Sequence, residues 1–202
     1  DGEEPLAPAD LELLADAAWW TGNPDESVDA LERAFNGYTG ADMPIDAARV
    51  AVLLAYLATR RLAQSVANGW RARAVRLLEG QPESTAHASL KVMEVLEAIT
   101  MRRDMDEGIA LADEALEIAR RTGSRDAESQ AQVFKGYAVL ARGDWKEGLA
   151  LIDEATSVAL SGDAGLRSAS DVYCVTISAC RDVGDFRRAG EWTEEADRWM
   201  NR

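Results

Sequence analysis

A chain of 202 residues is long enough for one or two ordinary domains or one continuous repeat array, and its 47% of apolar residues can bury a core. Its net charge of −14 at pH 7 repels phosphate backbones, which argues against direct nucleic-acid binding by this segment. The longest uninterrupted apolar run, 50–58, is too short to cross a membrane, which argues against a membrane protein.

Helix formers dominate, Pro is scarce, and strand-like alternation is missing, so the chain reads as all-α. It opens on Asp1-Gly2-Glu3-Glu4 without an initiator Met or a signal segment, and reads as a piece of a longer protein. The first predicted helix pair covers 9–21 and 24–38, with Gly22-Asn23 turning the chain and Pro24 just inside the second helix. The second covers 44–60 and 63–78, with no obvious turn residue. The third covers 86–102 and 105–121, turned at Arg103-Asp104; Arg120 and Arg121 before Gly123 form its cationic, glycine-stopped end. The fourth, 126–142 and 145–160, turns at Gly143-Asp144-Trp145. The fifth, 167–183 and 186–201, turns at Gly184-Asp185-Phe186. Loops over 36–43, 80–84 and 161–165 separate the pairs.

These pairs repeat. The clear turns fall at 22, 103, 143 and 184, spaced 81, 40 and 41. The first gap is twice the others, so a degenerate unit is expected to turn near residue 62. After each clear turn comes a small residue, Ser27, Gly108, Gly148 or Ala189, and seven positions on an alanine: Ala34, Ala115, Ala155, Ala196. Counting from 62 puts Ala67 and Ala74 at the two small positions. Residues seven apart share a helix face, so small ones there let helix backbones approach closely. Five units follow, about 9–38, 44–78, 86–121, 126–160 and 167–201, with a period of about 40.

Gly136 with Gly143-Asp144-Trp145 resembles a tetratricopeptide repeat (TPR), although the period exceeds the standard of about 34. In that likeness Trp145 and Phe186 occupy the place of a bulky residue that plugs the hairpin, and the fold is an all-α, right-handed superhelix of helical hairpins. A wider resemblance rests on Ala17-Ala18-Trp19-Trp20-Thr21-Gly22 with Asp25 to Val28, Glu147 to Ala155, Val172-Tyr173-Cys174 through Ala179-Cys180-Arg181, and Arg188 to Thr193. These strings are similar to the TPR-like region of large actinobacterial signalling proteins. There the region accompanies a LuxR-type helix-turn-helix domain or a nucleotide cyclase domain. The resemblance implies a regulatory module, a sensor or scaffold, whose output domain is not among these 202 residues, and the acidic charge and two unpaired cysteines fit a cytoplasmic setting. A free-standing adaptor, a self-associating scaffold and, less favoured, a small-molecule sensor are the alternatives.

Signatures of chemistry are missing. One histidine, His87, beside Ala86 and Ala88 at a helix start, excludes a histidine-built triad or zinc site. Cys174 and Cys180 lack metal or redox spacing, and six residues point them to different helix faces, so two free thiols packed in the core are expected. The glycine-containing stretch 161–165 lacks the Lys of a phosphate loop. We therefore expect no enzyme activity, no catalytic or metal-binding residue and no cofactor.

A partner surface is expected along the first helix of each pair. Carrying over the TPR register, aligned on the turn residue, places Glu12, Asp16, Trp19 and Trp20, then Arg49, Tyr56 and Arg60, on that face. Met93, Glu97 and Met101, then Gln130, Val133 and Tyr137, and Asp171, Cys174, Ser178 and Arg181 follow. Trp and Tyr beside Arg suit recognition of a protein or peptide. Trp19 or Trp20 is also expected to pack against Leu31 and Phe35 as core. Trp192, Trp199 and Met200 on the last helix form an apolar face that is expected to be covered either by further repeats of a longer protein or by self-association as a homodimer.

Overall fold

The computed structural model describes residues 6–201, so the opening acidic residues and Arg202 lie outside the described residues. Ten α-helices pair into five antiparallel hairpins: α1 (Pro8–Trp20) with α2 (Pro24–Gly40), α3 (Pro44–Arg60) with α4 (Gln64–Leu78), and α5 (Thr85–Glu97) with α6 (Met105–Thr122). α7 (Arg125–Ala141) pairs with α8 (Trp145–Val158), and α9 (Leu166–Val183) with α10 (Phe186–Met200). The described residues contain no strand. The chain divides into two compact units, Asp1–Ala86 and His87–Arg202.

In the first unit α3 is the central helix. It packs against its partner α4 and also against α2, so Val50, Ala51, Leu54, Ala55, Leu57 and Ala58 are all buried. The uninterrupted apolar run of the sequence is thus a helix covered on two sides. In the second unit the core runs from Val92, Val95 and Ile99 through Val133, Phe134 and Ile152 to Val172 and Ala179.

The five within-hairpin turns share one backbone device. Gly22, Leu62, Arg103, Gly143 and Gly184 all have left-handed φ, at 82°, 60°, 54°, 106° and 74°. In four of them the next N–H reaches back five residues, as in Asn23 N to Ala18 O at 2.8 Å and Ala63 N to Ala58 O at 3.0 Å. This pattern closes a helix C-terminus by satisfying its last carbonyls. At Asp104 the bond runs to Ala98 O, six residues back. There the helix widens into a π turn, Ala98–Arg102. A second widened segment, Ala159–Asp163, follows α8, but Gly162 within it has φ 100°, so the helix is kinked and ends there. A widened turn of this kind accommodates one inserted residue. Spacings of 40, 41, 40 and 41 along the turns place one widened segment in each 41-residue interval.

The degenerate second unit therefore turns at residue 62, on a leucine. Its small positions, Ala67 and Ala74, are buried like Ser27, Ala34, Gly108, Ala115, Gly148 and Ala155. A non-glycine residue in this conformation costs about 1–2 kcal/mol. Leu62 is 87% exposed and has no packing to lose. Leu62→Gly is expected to stabilise the chain by about 0.5–1 kcal/mol, after the greater freedom of glycine in the unfolded chain is subtracted. An unchanged or lower urea midpoint for Leu62→Gly would refute this.

Three expectations are corrected. Trp145 is 59% and Phe186 72% exposed, so neither plugs its hairpin. Each is the first residue of its helix, and facing glycines, Gly136 and Gly148, close the hairpin of α7 and α8. Neither Trp19 nor Trp20 is buried: Trp19 is half-buried and Trp20 is 44% exposed. Leu11, Ala15, Ala18 and Leu31 fill the first hairpin, and Phe35 is covered instead by Trp70 of α4, at 5.0 Å between ring centroids. Of the two free thiols, Cys180 is buried but Cys174 is exposed, because six residues rotate a side chain well away from the first position. Burial pushes the Cys180 thiol above its ordinary pKa.

Candidate partner-binding surface

In the first unit the α1–α3 face is built around one carboxylate. Glu12 of α1 accepts two bonds from the Arg49 guanidinium of α3, one of them 2.8 Å from Nη2 to Oε1. The buried Tyr38 hydroxyl of α2 donates to the same Oε1 at 2.6 Å. Three helices thus meet on Glu12. Burial works to raise its pKa, but the hydrogen bonds from Arg49 and Tyr38, with the charge of Arg49, outweigh it and hold Glu12 below the usual value. The hydrogen bond to Glu12 in turn pushes the Arg49 pKa up.

Farther along α3, Arg60 donates to the Tyr56 hydroxyl at 3.1 Å, and its guanidinium carbon lies 5.7 Å from the Tyr56 ring centroid. Four residues separate them, one turn of the same face. Tyr56 is half-buried and Arg60 exposed.

In the second unit, adjacent first helices are joined by two polar links. Gln130 Nε2 donates to Asp171 at 3.2 Å, and the Tyr137 hydroxyl donates to Asp182 at 3.1 Å. Gln130 and Tyr137 are seven apart on α7 and share a face. Arg181 contacts the other oxygen of Asp182, with Nε at 3.1 Å and Nη2 at 2.9 Å. Burial first, then the hydrogen bond and charge of Asp182, raises the Tyr137 pKa. Glu97 pairs with Arg102 at 3.5 Å, and Met101 is exposed on the π turn.

The structure therefore groups Arg49 with Glu12, Tyr56 with Arg60, and Tyr137 with Arg181 through Asp182. Asp182 and Tyr38 were not anticipated from sequence. Asp182 carries a weak signal, being next to Arg181 and two residues before the turn. Tyr38 carries none, because it sits on a second helix. On α10, the Trp192 indole donates to Asp153 of α8 at 2.8 Å, and Arg188 pairs with the same carboxylate. Trp199 packs against the core, which leaves Met200 as the exposed member of that trio. An open groove of about 530 Å³ lies between α8 and α10 beside Asp153, Arg188 and Trp192.

No protein-family model matches this chain, and no curated protein matches it in sequence. Solved structures do. BtubC (BKLC) from P. vanneervenii is similar with a TM-score of 0.60 at 17% identity, over 96% of this chain and 79% of that one. A signal-transduction ATPase with numerous domains and a tetratricopeptide-repeat sensor, from Pyrococcus horikoshii, is similar with a TM-score of 0.62 at 16% identity, over 96% of this chain. This chain spans only 29% of that ATPase. PilW, a widely conserved type IV pilus biogenesis factor, is similar with a TM-score of 0.54 at 15% identity, over 94% of this chain and 91% of PilW. At these identities the likeness shows the fold, an all-α TPR-like helical repeat. Among the described residues, no helix is long and apolar enough to cross a membrane.

Proposed function

We propose that this chain is a non-catalytic interaction module that holds a protein or peptide segment on the first-helix faces of its two compact units. The supporting observation is that Tyr56 and Tyr137 are each half-buried and tied to a neighbouring arginine, Tyr56 directly and Tyr137 through Asp182. A ring restrained in this way loses little entropy on binding, and Tyr with Arg is a common composition of binding hot spots. The TPR-like fold supports the same reading, and the −14 charge weighs against nucleic acid as the ligand.

The string resemblance to LuxR-type regulators and cyclases supports a regulatory, cytoplasmic setting for the module. In that setting the partner is a segment of the parent protein's output domain or of a second protein.

Wild-type protein and the Tyr56→Ala/Tyr137→Ala variant, immobilised equally, would be used to capture partners for mass spectrometry and then for titration. Each tyrosine is expected to contribute about 2 kcal/mol, so each single variant weakens the captured partner about 30-fold. Helical circular dichroism should not change. Equal affinity for wild type and double variant would remove the first-helix faces from consideration.

A further inference from the structure

A second surface lies on α4. From 47 to 78 the chain carries six arginines, Arg49, Arg60, Arg61, Arg71, Arg73 and Arg76, and no carboxylate, within a protein of net charge −14. Several have partners: Arg49 has Glu12, Arg61 has Asp25 at 3.0 Å, and Arg60 has Tyr56. Arg73 and Arg76 are exposed and form no ion pair among the described residues.

Aromatic rings orient Arg73 instead. Its guanidinium carbon lies 4.3 Å from the Phe35 centroid and 4.6 Å from that of Trp70. The two rings meet edge to face, 76° apart, with the cation set against both. Ring faces attract a guanidinium without using its N–H groups. Its five donors form a planar fork that matches a carboxylate. Arg73 is therefore restrained, while its hydrogen-bonding capacity stays available.

We propose that α4 docks an acidic segment of a protein partner, with a carboxylate held in the fork of Arg73 and a second acidic group near Arg76. Arg76 lies three residues on, at neighbouring-turn spacing. Val66, Trp70 and Arg73 share one face at i, i+4 and i+7, so apolar side chains of the segment meet exposed Val66 and half-buried Trp70. Charge complementarity selects the acidic partner. A polypeptide is favoured over a nucleic acid because two unpaired arginines do not offset a phosphate chain brought to a molecule of this net charge. The site is distinct from the first-helix faces and stands independently of the function proposed above.

Fluorescein-labelled decaglutamate is the probe, followed by anisotropy at low salt. Arg73→Gln is expected to weaken it about tenfold, because a charge-assisted bidentate pair is lost. Arg73→Lys should weaken it nearly as much, since an ammonium keeps the charge but not the fork. Arg187→Gln, at an exposed arginine paired with Glu191, and Tyr56→Ala/Tyr137→Ala should bind as wild type. The Trp70 indole N–H resonance, identified by its loss in Trp70→Phe, should shift on titration, a readout that needs no arginine variant to fold. Equal affinities for Arg73→Gln and Arg187→Gln, or wild-type binding by Arg73→Lys, would overturn the proposal. So would tighter binding of a ten-nucleotide oligothymidylate released by Arg73→Gln, or a salt-sensitive dimer abolished by the same change.

Discussion

Alanine at Gly148 is expected to destabilise the chain by about 3 kcal/mol, the reverse of the usual effect of alanine for glycine within a helix. A Cβ at Gly148 would lie 2.6 Å from Leu140 N and 2.8 Å from Gly136 O. A Cβ at Gly136 would lie 2.9 Å from Gly148 O and 3.1 Å from Ile152 N. Side-chain carbons also crowd both positions, Leu140 Cβ at 2.7 Å from the Cβ at Gly148 and Ile152 Cγ1 at 2.8 Å from that at Gly136, but backbone atoms block each as well, so no rotamer change relieves them. α7 and α8 must separate, and the burial of Ile152 and Ala155 loosens with them. At Gly108 the nearest atoms are side-chain carbons, Ile99 Cγ1 at 2.8 Å and Cδ1 at 3.5 Å, rather than backbone, and a smaller cost of about 1 kcal/mol is expected there. Gly69 and Gly190 lie within helices with nothing inside 4 Å, so alanine at either should stabilise by up to about 1 kcal/mol. Urea unfolding of the four variants checks the ranking. A Gly148→Ala midpoint at or above wild type would refute the close approach.

Glu12→Ala is expected to cost about 2 kcal/mol. It removes the acceptor of the buried Tyr38 hydroxyl and the partner of Arg49 together. The cost stays below that of breaking a fully buried pair because the Arg49 side chain is 40% exposed and regains water. The pH dependence has a definite sign. Glu12 has a lowered pKa in the fold, so its contribution is complete above the ordinary value of 4.5 and is lost as pH falls through the folded value. Glu12→Gln keeps an acceptor for Tyr38 but does not titrate, so its stability should fall less steeply on acidification. Identical acid limbs for wild type and Glu12→Gln, in urea midpoints taken from pH 7 to pH 3, would exclude Glu12 as the linked group.

Much of the fold was legible because its punctuation is local. Gly22, Gly143 and Gly184 mark left-handed turn positions, and their spacing located the turn at residue 62 even though a leucine stands there. The alanines seven residues beyond each small position marked the faces where helices meet. The candidate site was less legible. Arg49 reads as a groove arginine, yet it is a strut between α1 and α3, since whether a charged side chain faces a partner or a neighbouring helix depends on what lies across from it. The same limit explains Trp145, whose hairpin is closed by Gly136 and Gly148 and needs no plug. Trp70 went unnoticed because its value comes from Phe35 and Arg73, one on another helix.

By itself the sequence determined the number of helices, their pairing into five hairpins, and the small positions that let them pack. These depend on helix periodicity, turn residues and side-chain size, all properties of neighbours along the chain. Only the tertiary structure decided which arginines are paired and which are poised. Arg49 is bound by a carboxylate 37 residues away, whereas Arg73 is held by two rings that leave its donors available. Such pairings join residues on different helices, and the helical period that reveals each element says nothing about what stands opposite.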